Sequence, residues 1–175
     1  GLDNLKPIDT KNLNEDLNNT KYKSNLRKLV EASQTVLKND NNLIPLTHLY
    51  TLRIAYVAIG ATNDNFFQKS MNHYAKVKHY SFAKAPVDNN IDTLLKYLEN
   101  YNLVIIGIHN TSNSPKKNFG LTKETMNLIN QISKKKKVIV DLFGNPYSLE
   151  DYQEAANLPA LIVSYEDTEI TNDVS

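Results

Sequence analysis

The sequence predicts an α/β domain with a doubly wound, mostly parallel five-stranded sheet and helices on both faces. Three observations predict it. Short apolar, β-branched runs recur at 53–60, 76–82, 103–109, 138–142 and 160–165. Most of these runs are continuously apolar, as expected of strands covered on both faces. Between them lie stretches of helical periodicity, and alternation of this kind indicates crossover connections in a parallel sheet. Right-handed crossovers favour the order 2-1-3-4-5 for the predicted strands, a flavodoxin-like three-layer sandwich with its switch point between strands one and three.

The chain has 175 residues, enough for one domain with a proper core. A net charge of +1 gives no electrostatic case for nucleic acid or a membrane surface. Cysteine is absent, which excludes disulfides and thiolate metal sites. No apolar run approaches the roughly 20 residues of a membrane span. The first residues, Gly1-Leu2-Asp3-Asn4, lack a basic-then-apolar signal pattern.

Taken in order, residues 1–20 read as a polar arm or linker with scattered leucines, too sparse in apolar side chains to form a core. The domain proper is expected over 21–175. From Lys21 to Lys38, Leu26, Leu29, Val30, Ser33 and Leu37 follow helical spacing and predict one buried face. Asn39-Asp40-Asn41-Asn42 stops that helix, and Leu43-Ile44-Pro45-Leu46 extends because proline disfavours the helical region for its predecessor. Arg53–Gly60 is the first predicted strand, 61–65 a turn, and Phe67, Met71 and Tyr74 mark a short helix. Lys76–Phe82 is a more polar strand, expected nearer an edge. Ile91, Leu94, Leu95, Leu98 and Tyr101 make the clearest amphipathic helix. Leu103–His109 follows as strand three. Thr122 can cap the next helix, with Glu124 in its first turn and Leu128, Ile129 and Ile132 on its apolar face. The run Lys134–Lys137 suits a solvated helix end, where cations meet the negative dipole terminus. Val138–Leu142 is strand four. Ser148-Leu149-Glu150-Asp151 resembles a capping box opening a short helix, and Ala160–Tyr165 is strand five. No periodic helix is expected after it, which reads as a piece of a longer polypeptide.

Ligands of open α/β sheets sit beyond the carboxyl ends of the strands, so the loops at 60–65 and 109–120 are expected to flank one crevice. The chemistry there is incomplete. Gly60 stands alone where a dinucleotide site wants Gly-x-Gly-x-x-Gly. Ala61-Thr62-Asn63 is a poor phosphate loop for FMN, and no acidic pair follows strand one as a phospho-receiver requires. His48, His73, His79 and His109 show no metal-ligand spacing, and no Gly-x-Ser-x-Gly elbow is present. Asp141 falls inside strand four, and capping explains Asp88 and Asp92. No metal and no cofactor are expected. His109, Asn110, Asn113 and Ser114 remain as cleft-facing candidates by position alone.

The stretch Leu37-Lys38-Asn39-Asp40-Asn41-Asn42-Leu43-Ile44-Pro45-Leu46 resembles the signature leading into the C-terminal domain of glycoside hydrolase family 3. In that family it precedes a first strand similar to Arg53–Gly60. Strand three and Leu161-Ile162-Val163-Ser164-Tyr165-Glu166-Asp167-Thr168 resemble the bacterial β-N-acetylhexosaminidase branch. The resemblance implies a TIM-like catalytic barrel elsewhere in the same polypeptide, carrying the nucleophile, since a barrel takes about 250 residues. It also implies a last helix and strand beyond Ser175, and an envelope, periplasmic or secreted location. In the β-glucosidase branch a Glu in the loop after strand three serves as acid/base. Here residues 109–120 contain no Asp or Glu. In the hexosaminidase branch a barrel His has that duty, so the acid-free loop fits that branch. The expectation is a non-catalytic domain that packs on the barrel and shapes the sugar cleft. Two alternatives stand beside it. One is a free-standing domain binding a small anion, suggested by Lys116 and Lys117. The other is a scaffold domain whose loop never meets substrate.

Overall fold

A computed structural model describes residues 2–6, 9–62, 65–84 and 88–175, with the side chains of residues 2 and 88–90 outside that description. Part of the expected turn at 61–65 and the expected capping by Asp88 therefore lie outside the described residues. The elements are α1 (Leu13–Leu17), α2 (Thr20–Ser33), β1 (Thr35–Asn39), β2 (Ile54–Ile59), α3 (Phe66–Met71), β3 (Val77–Phe82), α4 (Asp88–Leu98), β4 (Leu103–Ile108), α5 (Lys123–Ser133), β5 (Lys137–Leu142), β6 (Ala160–Val163) and α6 (Glu169–Val174). The sheet order is β1-β6-β5-β4-β2-β3. The five predicted strands thus take the expected 2-1-3-4-5 order, all parallel, with β3 at one edge.

The sheet has six strands, one more than expected, because β1 adds antiparallel to β6. This corrects the predicted helix of 21–38, which stops at Ser33. Two β-branched residues, Thr35 and Val36, open the new strand and gain a ladder against Ile162 and Val163. Asn39 closes it. Its amide donates to the Ile44 carbonyl at 2.6 Å and accepts from the Ile44 N–H at 2.9 Å, so the Asn-rich stretch is a side-chain-clamped turn. The face expected to bury Leu26 and Leu29 is open: they are 48% and 69% exposed.

The end of the chain also departs from expectation. Thr168 caps α6 through the Thr171 N–H, and the helix covers the sheet beyond β6. Six residues are too few to show a helical period in the sequence. A Ser70 hydroxyl bond to Asp173 (2.8 Å) and an Arg27–Asp173 ion pair tie α6 to α3 and α2. The helix expected after Ser148 is instead two short 3-10 turns, Pro146–Leu149 and Gln153–Asn157, with Asn145 as the cap of the first.

The two faces of the sheet differ. One buries Val57, Ile106 and Val140 against Leu94 and Leu98 of α4 and Leu128, Ile129 and Ile132 of α5. Each such side chain contributes about 1.5–3 kcal/mol. The other face is covered at the amino ends of the strands by Leu43, Ile44, Leu46 and Leu52, and at the carboxyl ends by Phe67 and Phe143. Four polar side chains, Tyr56, His109, Asp141 and Ser164, lie buried on that second face.

Candidate functional site

The carboxyl ends of β2, β3 and β4 border a shallow crevice of about 660 Å³, lined by Gly60, Ala61, Thr62, Ser81, Lys84 and Asn110. This is the switch point, since β2 lies between β3 and β4. Gly60 is required there. Its φ is +86°, and a Cβ would come within 2.6 Å of the His109 carbonyl. The lone glycine of the sequence therefore serves close backbone approach.

His109 does not open into the crevice. It is 1% exposed and points to the second face, in register with Leu103, Ile105 and Gly107. Its ring stacks on Phe143 at 4.5 Å between centroids. Nδ1 lies 3.0 Å from Asp167 Oδ1 and Nε2 lies 2.5 Å from the Tyr56 hydroxyl. A carboxylate only accepts, so Nδ1 carries a hydrogen. Burial pushes the Tyr56 hydroxyl well above its ordinary pKa, so it remains a donor toward Nε2. Tyr56 reaches His109 by passing over Gly107, where a Cβ would stand 2.1 Å from the Tyr56 oxygen. Tyr56, Gly107 and His109 are thus one unit spread over two neighbouring strands.

Asp167 holds this unit to the loop. Besides His109, it accepts from the Asn110 N–H at 2.8 Å and from the Asn172 amide at 2.9 Å. Burial alone would raise its pKa. The hydrogen bonds from His109, Asn110 and Asn172 outweigh burial and hold it at about 2. Asn110 turns the chain out of β4 at φ 52°, a left-handed conformation that asparagine tolerates. Its side chain is exposed, as is that of Asn113, and Ser114 is half-buried.

The loop is firmly built. The Lys84 ammonium donates to the carbonyls at its two ends, Asn110 and Gly120. Burial lowers the Lys84 pKa, partly opposed by Asp167. The Thr111 hydroxyl donates to the Phe143 carbonyl at 2.7 Å, and the Ser112 N–H to that of Phe119 at 2.7 Å. Of the four position-based candidates, Asn110, Asn113 and Ser114 are at the surface, while His109 is buried and is joined to the Asn110 backbone through Asp167. Tyr56, Lys84 and Asp167 were not singled out by sequence. Tyr56 carried a signal, a hydroxyl within a fully buried strand, whereas Asp167 lies 58 residues from His109 and no spacing rule connects them.

Glu124 sits in the first turn of α5, capped by Thr122, so it serves the helix terminus as expected. Among the described residues, no cluster of three or more histidines or acids forms a metal site, and no helix is long and apolar enough to cross a membrane. This strand-end loop offers hydrogen-bond donors and acceptors but no Asp or Glu.

No family model and no curated protein matches the sequence. Solved structures do match in fold. A glycoside hydrolase family 3 β-N-acetylglucosaminidase from Paenibacillus sp. superposes over 90% of this chain and 30% of its own, with a TM-score of 0.67 and 14% identity. The fold is that of the C-terminal region of family 3 glycoside hydrolases. A fungal multi-domain family 3 β-N-acetylglucosaminidase matches 89% of this chain and 17% of its own, at TM-score 0.66 and 20% identity. A β-glucosidase from Listeria innocua matches 92% and 25%, at TM-score 0.70 and 17% identity. The chain thus spans at most 30% of the length of these relatives in fold.

Proposed function

We propose that this chain is the non-catalytic C-terminal α/β domain of a family 3 glycoside hydrolase of the β-N-acetylhexosaminidase type. Residues 1–20 serve as the end of an interdomain linker, and the catalytic barrel belongs to the same polypeptide. Fold similarity supports a family 3 domain but extends to both N-acetylglucosaminidases and a β-glucosidase. The observation that carries the finer reading is the acid-free loop 109–120, built onto β4 at the switch point and braced by Lys84 and Asp167. A retaining glycosidase generally uses a carboxylate nucleophile and an acid/base, and this loop has no carboxylate for either role. Its part is to present Asn110, Asn113 and Ser114 to the rim of the sugar cleft, with His109 positioning Asn110 from below.

The exposed apolar stripe of α2 supports packing on a further domain. Leu26 and Leu29, and Val36 and Leu37 of β1, are exposed large apolar side chains of the kind that interfaces cover. Two measurements test the reading. The isolated chain should give no turnover of a chromogenic N-acetylglucosaminide, and turnover above background would overturn the inactive-domain assignment. In the full-length polypeptide, the N110A/N113A pair should raise KM for N-acetylglucosaminides. Unchanged kinetics would favour a scaffold domain instead.

A further inference from the structure

The second face of the sheet also holds a cavity of about 260 Å³ that shares no lining residue with the crevice. Ile44, Ile105, Ile139 and Ile162 form its apolar walls. Asp141, Asn172 and Asp173 line its polar side.

That polar side is short of hydrogens. Asp141 Oδ1 lies 2.7 Å from the Ser164 hydroxyl, and Oδ2 is bonded by the Ser175 hydroxyl. Ser164 Oγ also lies 2.5 Å from Gln34 Oε1 and 3.0 Å from Ser175 Oγ. With Asp141 ionised, these four oxygen–oxygen contacts share two hydroxyl hydrogens, because an amide oxygen and a carboxylate carry none; burial raises the Asp141 pKa, so that form is costly unless a cation joins it. Asn172 is 5% exposed, and its Oδ1 has no hydrogen-bond partner among the described residues. Asp173 accepts from Ser70 and Arg27. Asp141 is buried, and no lysine or arginine among the described residues pairs with it. A buried carboxyl without a cation is costly, and a donor-rich cation relieves both deficits at once.

We propose that this cavity binds a small aliphatic primary amine as its ammonium ion, donating to Asp141 and Asn172 with its alkyl chain among Ile105, Ile139 and Ile162. The size suits it: an apolar cavity of about 150 Å³ holds benzene, so this one takes a chain of about six carbons. The site meets the strand-end loop through Asn172, whose amide nitrogen donates to Asp167, but it does not rest on the proposed function.

Titration of this chain with hexylamine, hexan-1-ol and hexanoate at neutral pH, followed by NMR shifts and by melting temperature, tests it. Hexylamine should bind saturably and about ten-fold or more tighter than hexan-1-ol, and hexanoate should not bind. Asp141→Asn should erase the preference for the amine. Ile139→Phe, which fills the cavity and leaves the acid, should abolish binding of both ligands. Hexan-1-ol binding as tightly as the amine would overturn the proposal by showing Asp141 to be protonated and the cavity merely apolar. No saturable amine binding to the unsubstituted chain would overturn it as well, whether or not either variant folds.

Discussion

The two faces of this sheet are built from the same strands and solve different problems. On the α4–α5 face the inward side chains of β2, β4, β5 and β6 are apolar, and the helices close over them. On the opposite face the alternate residues of the same strands include Tyr56, His109, Asp141 and Ser164, and the cover is broken into an N-terminal patch, α3 and α6. The first face stabilises by area. The second must satisfy each polar group individually, because a buried unpaired donor or acceptor costs about as much as a lost hydrogen bond. Polar residues thus concentrate on the face with the broken cover, while the closed face holds the strands in register beneath it.

The largest loss of stability is expected on the closed face. Ile129→Ala should lower unfolding free energy by about 2–5 kcal/mol, measured by denaturant titration, because α5 is anchored there and the cavity cannot collapse. Next is Gly107→Ala on the polar face. The added Cβ meets Tyr56 and His109 at 2.1 and 2.7 Å, so about 1–3 kcal/mol should be lost together with amide protection at Asn110. If that protection survives, Tyr56 and His109 do not hold the loop.

Asp167→Asn tests the loop's anchor with a smaller effect. Its folded pKa of about 2 lies below the ordinary carboxylate value. Such a group adds stability that is fully present above about pH 4 and lost as pH falls toward 2. Wild-type stability should therefore decline across that window, and the variant should show a flatter profile there, read from melting temperature against pH. The smallest effect is expected at Leu29→Lys on α2. This exposed position should change the isolated chain's stability by no more than about 0.5 kcal/mol. In a full-length polypeptide the same change should loosen the domains, visible as increased proteolysis of the linker.

How much of this was legible follows from the range of each interaction. The α4 and α5 stripes, the β-branched runs and the strand order are local patterns joined by a chirality rule, and they were readable. Strand β1 was not. Leu26, Leu29, Val30, Ser33 and Leu37 do keep a helical period, and pairing with β6 overrode it beyond Ser33. Helix α6 is too short to display a period.

The sequence by itself determined the doubly wound architecture, the switch point after Ile59 and Ile108, and a 109–120 loop without an acid. Those depend on periodicity, turn chemistry and residue identity, which act within a few residues. Tertiary contacts alone turn His109 inward to Tyr56 and Asp167, close the loop with Lys84, and set Asp141 at a cavity with no lysine or arginine paired to it among the described residues. These depend on which distant residues meet across neighbouring strands, and no local pattern encodes that choice.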